Sequence, residues 1–108
     1  MHELSIIQAL LQQVRPYTDK SIRRICIEVG GLSCVDPDRL QFCFEMVKEE
    51  AALAKTDLVI DNPGGQARCN NCQKLFELVR LGLPCPCGSY NYTLISGQQL
   101  TLTEIEFA

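Results

Sequence analysis

Four of the seven cysteines fall into two tight pairs, Cys69-Asn70-Asn71-Cys72 and Cys85-Pro86-Cys87-Gly88, with twelve residues between them. Each turn can aim two thiolates at one point, and a hairpin between the pairs would fold them together. Four sulfurs in a tetrahedron suit zinc, at Zn–S distances of about 2.3 Å. With Cys69, Cys72, Cys85 and Cys87 all ligating, no position is left open for water, so the expected ion is structural rather than catalytic. Iron in the same cage is chemically possible. A redox C-x-x-C of the thioredoxin kind is disfavoured, because the motif is paired and does not open a helix. Such a unit does not by itself declare a function. It could bind nucleic acid, bind a protein, or only hold a loop. The other three cysteines, Cys26, Cys34 and Cys43, read as small packing residues, with Cys34 in a turn and partly exposed.

The second place where chemistry is possible is the start of the chain. His2 is the single histidine. A lone histidine is ordinarily a surface or packing residue, but its position here allows more. The amine of Met1, the deprotonated amide of His2 and the His2 imidazole can form linked chelate rings on one metal ion. The amide nitrogen of Glu3 could complete a square plane. Nitrogen donors in tetragonal geometry suit Ni(II) or Cu(II).

The elements that must position these groups are legible from periodicity. Ile6, Ile7, Leu10, Leu11 and Val14 repeat at helical spacing opposite Gln8, Gln12 and Gln13, which predicts an amphipathic helix from about Ser5 to Val14, ended near Pro16. Ile25, Ile27 and Val29 alternate with Arg24, Cys26 and Glu28, so a half-buried strand leads to Gly30-Gly31. Asp36-Pro37-Asp38 reads as a helix start, with a capping carboxylate and proline at the first helical position. Leu40, Cys43, Phe44, Val47, Ala51 and Ala54 continue as a stripe that predicts a helix to about Lys55, with Lys48, Glu49 and Glu50 toward water. Leu58-Val59-Ile60 is a short second strand, and Gln99 to Phe107 a last one.

Two breaks, Asn62-Pro63-Gly64-Gly65 and Ser96-Gly97, bracket about 36 residues that hold the cysteine pairs. That length lies below the ~40 residues at which a hydrophobic core alone usually suffices. Metal binding would supply folding free energy, on the order of 10–16 kcal/mol for structural zinc peptides. The expected fold is therefore α+β. A small mixed sheet of about three strands and two helices comes from residues 1–61 and 98–108, with the last strand returning to the first sheet. Residues 62–97 form an inserted zinc-ribbon-like domain.

Composition narrows the function classes. The chain has 108 residues, 46% of them hydrophobic and 21% charged, which excludes global disorder. No apolar run reaches the ~20 residues needed to cross a bilayer. Met1-His2-Glu3-Leu4 lacks the basic and apolar regions of a signal peptide, so the expected location is cytoplasmic. The net charge of −3 argues against a nucleic-acid binder. The 62–97 segment is an exception, with Arg68, Lys74 and Arg80 against Glu77 alone. Those basic residues, with Phe76, Tyr90 and Tyr92, could form a small basic–aromatic face for single-stranded nucleic acid, although such residues are more often ordinary solvated charges and hairpin packing. No nucleophile–base pair is visible, so no enzyme is expected.

Taken in order, these features resemble the HypA/HybF family of hydrogenase nickel-incorporation proteins. The resemblance rests on the opening Met1-His2-Glu3-Leu4-Ser5 and on the turn Gly30-Gly31-Leu32-Ser33-Cys34-Val35-Asp36. It rests further on the Phe42–Glu45 helix segment, the four paired cysteines and the closing Glu104-Ile105-Glu106, so it spans essentially the whole chain. It implies a metallochaperone that delivers nickel to the large subunit of [NiFe]-hydrogenase, in cooperation with the HypB GTPase. It implies structural zinc on the four cysteines and transient nickel at Met1 and His2, with Glu3 beside them. Asp36 matches an acidic position implicated in that site, and its reading as a helix cap stands alongside; Asp38 is a lesser candidate. The expected partners are HypB and the hydrogenase large subunit, with no nucleic acid and no membrane, in a monomer or weak homodimer.

Overall fold

The computed structural model describes residues 3–108. Helix α1 (Glu3–Val14) buries Ile7, Leu10 and Val14 and leaves Gln8, Gln12 and Gln13 outside, as its periodicity predicts. A 3-10 turn at Arg15–Tyr17, with Pro16 inside it, ends the helix. Strand β1 (Ile22–Val29) follows, then α2 (Pro37–Val47), β2 (Asp57–Asp61), β3 (Gly65–Cys69), β4 (Leu75–Leu78), β5 (Tyr92–Ser96) and β6 (Leu100–Phe107).

The strands form two sheets of three, ordered β2-β1-β6 and β4-β3-β5. In the first, β2 runs parallel to β1, because α2 carries the chain back over the sheet, and β6 pairs antiparallel on the other side. The last strand does return to the first sheet. Both helices lie on the face that carries Ile25, Ile27 and Val29, and Phe44, Leu40 and Ile7 fill the space between. Phe44 is fully buried, and truncating a buried Phe to Ala costs about 3–5 kcal/mol.

Helix α2 stops at Val47, eight residues short of the expected end near Lys55. Residues 48–55 instead form successive turns, closed by Ala51 N–H and Leu53 N–H donating to Lys48 O at 3.2 and 2.8 Å, with Ala52 at φ +62°. Burial explains the early stop. The core takes Leu53, 2% exposed, and leaves Ala54 outside. A continued helix would present the smaller Ala54 there and carry the chain away from β1. Thr56 then locks the return, its hydroxyl donating to Ile22 O at 2.7 Å. Lys48 also departs from expectation: it folds inward, with Nζ 2.8 Å from Glu45 Oε2.

The two sheets meet at the turn after β1. Gly30 N–H donates to Gln99 O at 2.8 Å, Gly31 N–H to Pro63 O at 2.7 Å, and Leu32 N–H to Gln98's neighbour Gly97 through its carbonyl at 2.7 Å. Asn62 Nδ2 donates to Val29 O at 2.6 Å from the other side. Both chain crossings between the sheets are thus tied to one short stretch.

Candidate metal centre

The first cysteine pair sits where β3 ends and turns toward β4. Cys69 is the last residue of β3, and its N–H donates to Lys74 O at 2.9 Å, which closes the hairpin. Within the turn, Gln73 N–H donates to Cys69 O at 3.0 Å, with Gln73 in the left-handed region at φ +64°. The second pair forms a similar turn. Gly88 N–H donates to Cys85 O at 2.7 Å, and Gly88 takes φ +94°, which its missing Cβ permits. Asn70 ties the first turn to the residue that precedes β5: its backbone N–H donates to Asn91 O at 2.9 Å and its side chain to Asn91 Oδ1 at 3.1 Å.

All four Sγ atoms lie within 4.8 Å of one another. The near approaches cross from one turn to the other, Cys69 to Cys87 at 3.7 Å and Cys72 to Cys85 at 3.7 Å. A tetrahedral ion with arms of about 2.3 Å has sulfur–sulfur edges of about 3.8 Å, so the cage has the right size for zinc. Cys69 and Cys85 are buried, Cys72 is half-buried and Cys87 is exposed. The cage therefore opens to solvent on one side.

The turns also prepare the charge of the sulfurs. Cys69 Sγ accepts from the backbone N–H groups of Cys72 and Asn71, both at 3.3 Å. These donors, Cys72 first, favour the thiolate and pull the Cys69 thiol down to about 6 against the opposing effect of burial. Cys85 Sγ accepts from one backbone group among the described residues, Cys87 N–H at 3.5 Å. That single downward pull is outweighed by burial and by the neighbouring sulfurs, which push the Cys85 thiol up to about 12. The cluster thus holds one ready anion and one reluctant one, and a cation at its centre would settle the disagreement.

The other candidate residues are placed as follows. Met1 and His2 lie outside the described residues. Glu3 opens α1, its side chain 13% exposed and its carboxylate 3.9 Å from Arg39 Nε on α2. That contact brings the first turns of the two helices together. Asp36 caps α2: its Oδ1 accepts from Asp38 N–H at 2.9 Å and Arg39 N–H at 3.5 Å. Cys34 is exposed, at φ +63°, instead of packed, whereas Cys43 packs against the core. Phe76 and Tyr92 pack edge to face at 5.4 Å, and the Tyr92 hydroxyl donates to Leu83 O at 2.8 Å. Of the three aromatics considered for base stacking, only Tyr90 stands out in solvent. Sequence reasoning missed Leu32, an apolar residue between Gly31 and Ser33 that packs with the second sheet.

A two-layer α+β body carrying a second small sheet with a four-cysteine cage defines a small metal-binding protein. The family model described as "Hydrogenase/urease nickel incorporation, metallochaperone, hypA" matches residues 1–107. The chain belongs to this family. It is 34% identical to the hydrogenase maturation factor HypA of Geobacter metallireducens over 108 residues, covering 98% of each chain. It is 35% identical to that of Aquifex aeolicus over 111 residues, covering 98% of this chain and 96% of the relative. The fold is similar to the solution structure of the Ni metallochaperone HypA from Helicobacter pylori, with a TM-score of 0.66 at 24% identity, over 99% of this chain and 97% of that one. Among the described residues, no helix is long and apolar enough to cross a membrane.

Proposed function

We propose that this chain is a nickel metallochaperone that carries Ni(II) at its amino terminus and delivers it to the large subunit of [NiFe]-hydrogenase. The observation that carries this reading is the family match over residues 1–107, which takes in the Met1-His2-Glu3 start. The Met1 amine, the His2 amide and imidazole and the Glu3 amide form the carrier site. Glu3 suits this role because it stands at the first position of α1, where backbone N–H groups lack helical acceptors. Asp36 is the weaker fourth candidate, since one of its oxygens is already engaged as the α2 cap. Zinc on Cys69, Cys72, Cys85 and Cys87 is structural and makes residues 62–97 a domain of their own, inserted into the helix-bearing domain of 1–61 and 98–108.

A terminal chelate built mostly from backbone nitrogens can be dismantled by moving a few residues. A partner that competes for one coordination position can therefore draw the ion across. The protein acts in the cytoplasm, works with the HypB GTPase, and performs no bond chemistry of its own. The test is transfer. Nickel-loaded protein is mixed with HypB, GTP and nickel-free large-subunit precursor, and nickel is followed into the precursor. Transfer that outpaces free Ni(II) in the presence of a competing chelator supports the reading; transfer no faster than from the chelator alone overturns it.

A further inference from the structure

The small core of the cysteine-bearing sheet is not made from that sheet alone. Its buried members are Leu32, Ala67 and Leu78, with Phe76, Tyr92 and two leucines packed around them. All but Leu32 lie between the two breaks. Leu32 comes from the turn after β1 and is 2% exposed. Its socket is lined by glycine. A Cβ on Gly65 would stand 2.7 Å from Leu32 Cγ, and one on Gly97 would stand 3.0 Å from Leu32 Cγ and Cδ1. Gly65 and Gly97 thus leave room for one side chain at both ends of the inserted segment. The backbone of Gly30, Gly31 and Leu32 grips the same two crossings through its N–H groups, at 2.8, 2.7 and 2.7 Å.

The socket and the cage are opposite ends of one strand. On β3, Gly65, Ala67 and Cys69 are buried on one face, the first beneath Leu32 and the last in the sulfur cluster. The partner strand β5 likewise runs from Tyr92, paired with Cys69, to Ser96, paired with Gln66. With so few buried residues, this sheet needs both supports. We propose that Leu32 links the two: an ion at the four cysteines and the closed Gly30–Leu32 clasp stabilise each other. Filling or emptying the cage then sets the order of the turn that leads through Cys34 to the Asp36 cap. The link is reciprocal, so a loosened clasp must also weaken the cage. Cys34, held at φ +63° in that turn, takes a conformation that a non-glycine residue keeps only under restraint from its surroundings. This inference rests on the reading of the cage as a zinc site.

The test is residue-resolved amide hydrogen exchange on the full chain, zinc-loaded and after removal of zinc with a chelator. The Gly30, Gly31 and Leu32 amides are expected to exchange at least about tenfold faster after stripping, with Ile7, Leu10 and Ile25 unchanged. In Leu32→Ala the same amides should already exchange fast with zinc bound, and the chelator should take the ion sooner than from the wild type. Equal clasp protection with and without zinc overturns the linkage. So does a loss of protection spread evenly through α1 and β1. A chain that takes up no zinc overturns the parent reading as well, and a direct zinc titration reads that separately. The wild-type comparison decides the matter even if Leu32→Ala does not fold.

Discussion

Cys69 and Cys87 belong to different turns, yet their Sγ atoms stand 3.7 Å apart. The distance matches the edge of a zinc–sulfur tetrahedron, about 3.8 Å, and it joins the end of β3 to the loop before β5. Taking away a sulfur should therefore cost the ion and the local fold together. Cys85→Ser is expected to lower zinc affinity by more than the roughly 10–100-fold that loss of an outer-shell partner costs. Zinc removal should melt the β4-β3-β5 sheet while α1 and α2 persist, as far-ultraviolet circular dichroism and amide exchange would report. Metal uptake by the serine variant at wild-type affinity would contradict the assignment.

Zinc binding should release protons, and the sulfurs determine how many. Zinc takes thiolates. Cys85, pushed up to about 12, is protonated before binding at any physiological pH and must give up its proton to bind. Cys69, pulled down to about 6, is already a thiolate at neutral pH. Affinity should thus rise with pH through the neutral range, by about tenfold per unit for each proton displaced. The slope should steepen below about 6, where Cys69 also starts to hold a proton. Calorimetric titrations in buffers of different ionisation enthalpy count the protons. A zinc affinity flat between pH 5 and 8 would contradict this arrangement.

Asp36 offers a way to separate a cap from a ligand. Its Oδ1 accepts from Asp38 N–H at 2.9 Å, so Asp36→Ala should cost about 1 kcal/mol in a urea melt. Asp36→Asn retains an accepting oxygen and should stay within a few tenths of a kcal/mol of wild type. If the residue serves only the helix, the Asn variant binds Ni(II) as the wild type does. A stable Asn variant with weakened nickel affinity would put the carboxylate on the ion.

Much of this architecture was legible in the chain. The stripe from Leu40 to Val47 and the alternation from Ile25 to Val29 follow from local periodicity, and the paired cysteines from their spacing. What escaped was decided by distant partners. The helix from Pro37 reads as continuing because Ala51 and Ala54 keep the period, but the core selects Leu53. Gly65 and Gly97 read as turn residues. Their further reason is the passage of Leu32 between them, a contact that local pattern does not encode. Asp36 was readable as a cap, and the structure keeps it one, but a cap and a metal ligand use the same carboxylate.

Gly97 tests the close approach at the crossing. It takes φ +106°, and a Cβ there would lie 2.6 Å from Gly65 Cα, a backbone atom that cannot swing aside. Gly97→Ala should destabilise the zinc-loaded protein by at least about 1–3 kcal/mol, seen as a lower urea midpoint at unchanged m. A melt indistinguishable from wild type would mean that the two strands are not held this closely.

Nickel carriage at the amino terminus is tested by a Ni(II) titration of untagged, zinc-loaded protein beside His2→Ala, with the native Met1 amine in both. The wild type is expected to hold one tight nickel site, with the d–d absorption of a nitrogen-rich square-planar complex, and the variant to lose it while its zinc content stays the same. Equal nickel binding by both proteins would contradict it and move the carrier site away from the amino terminus.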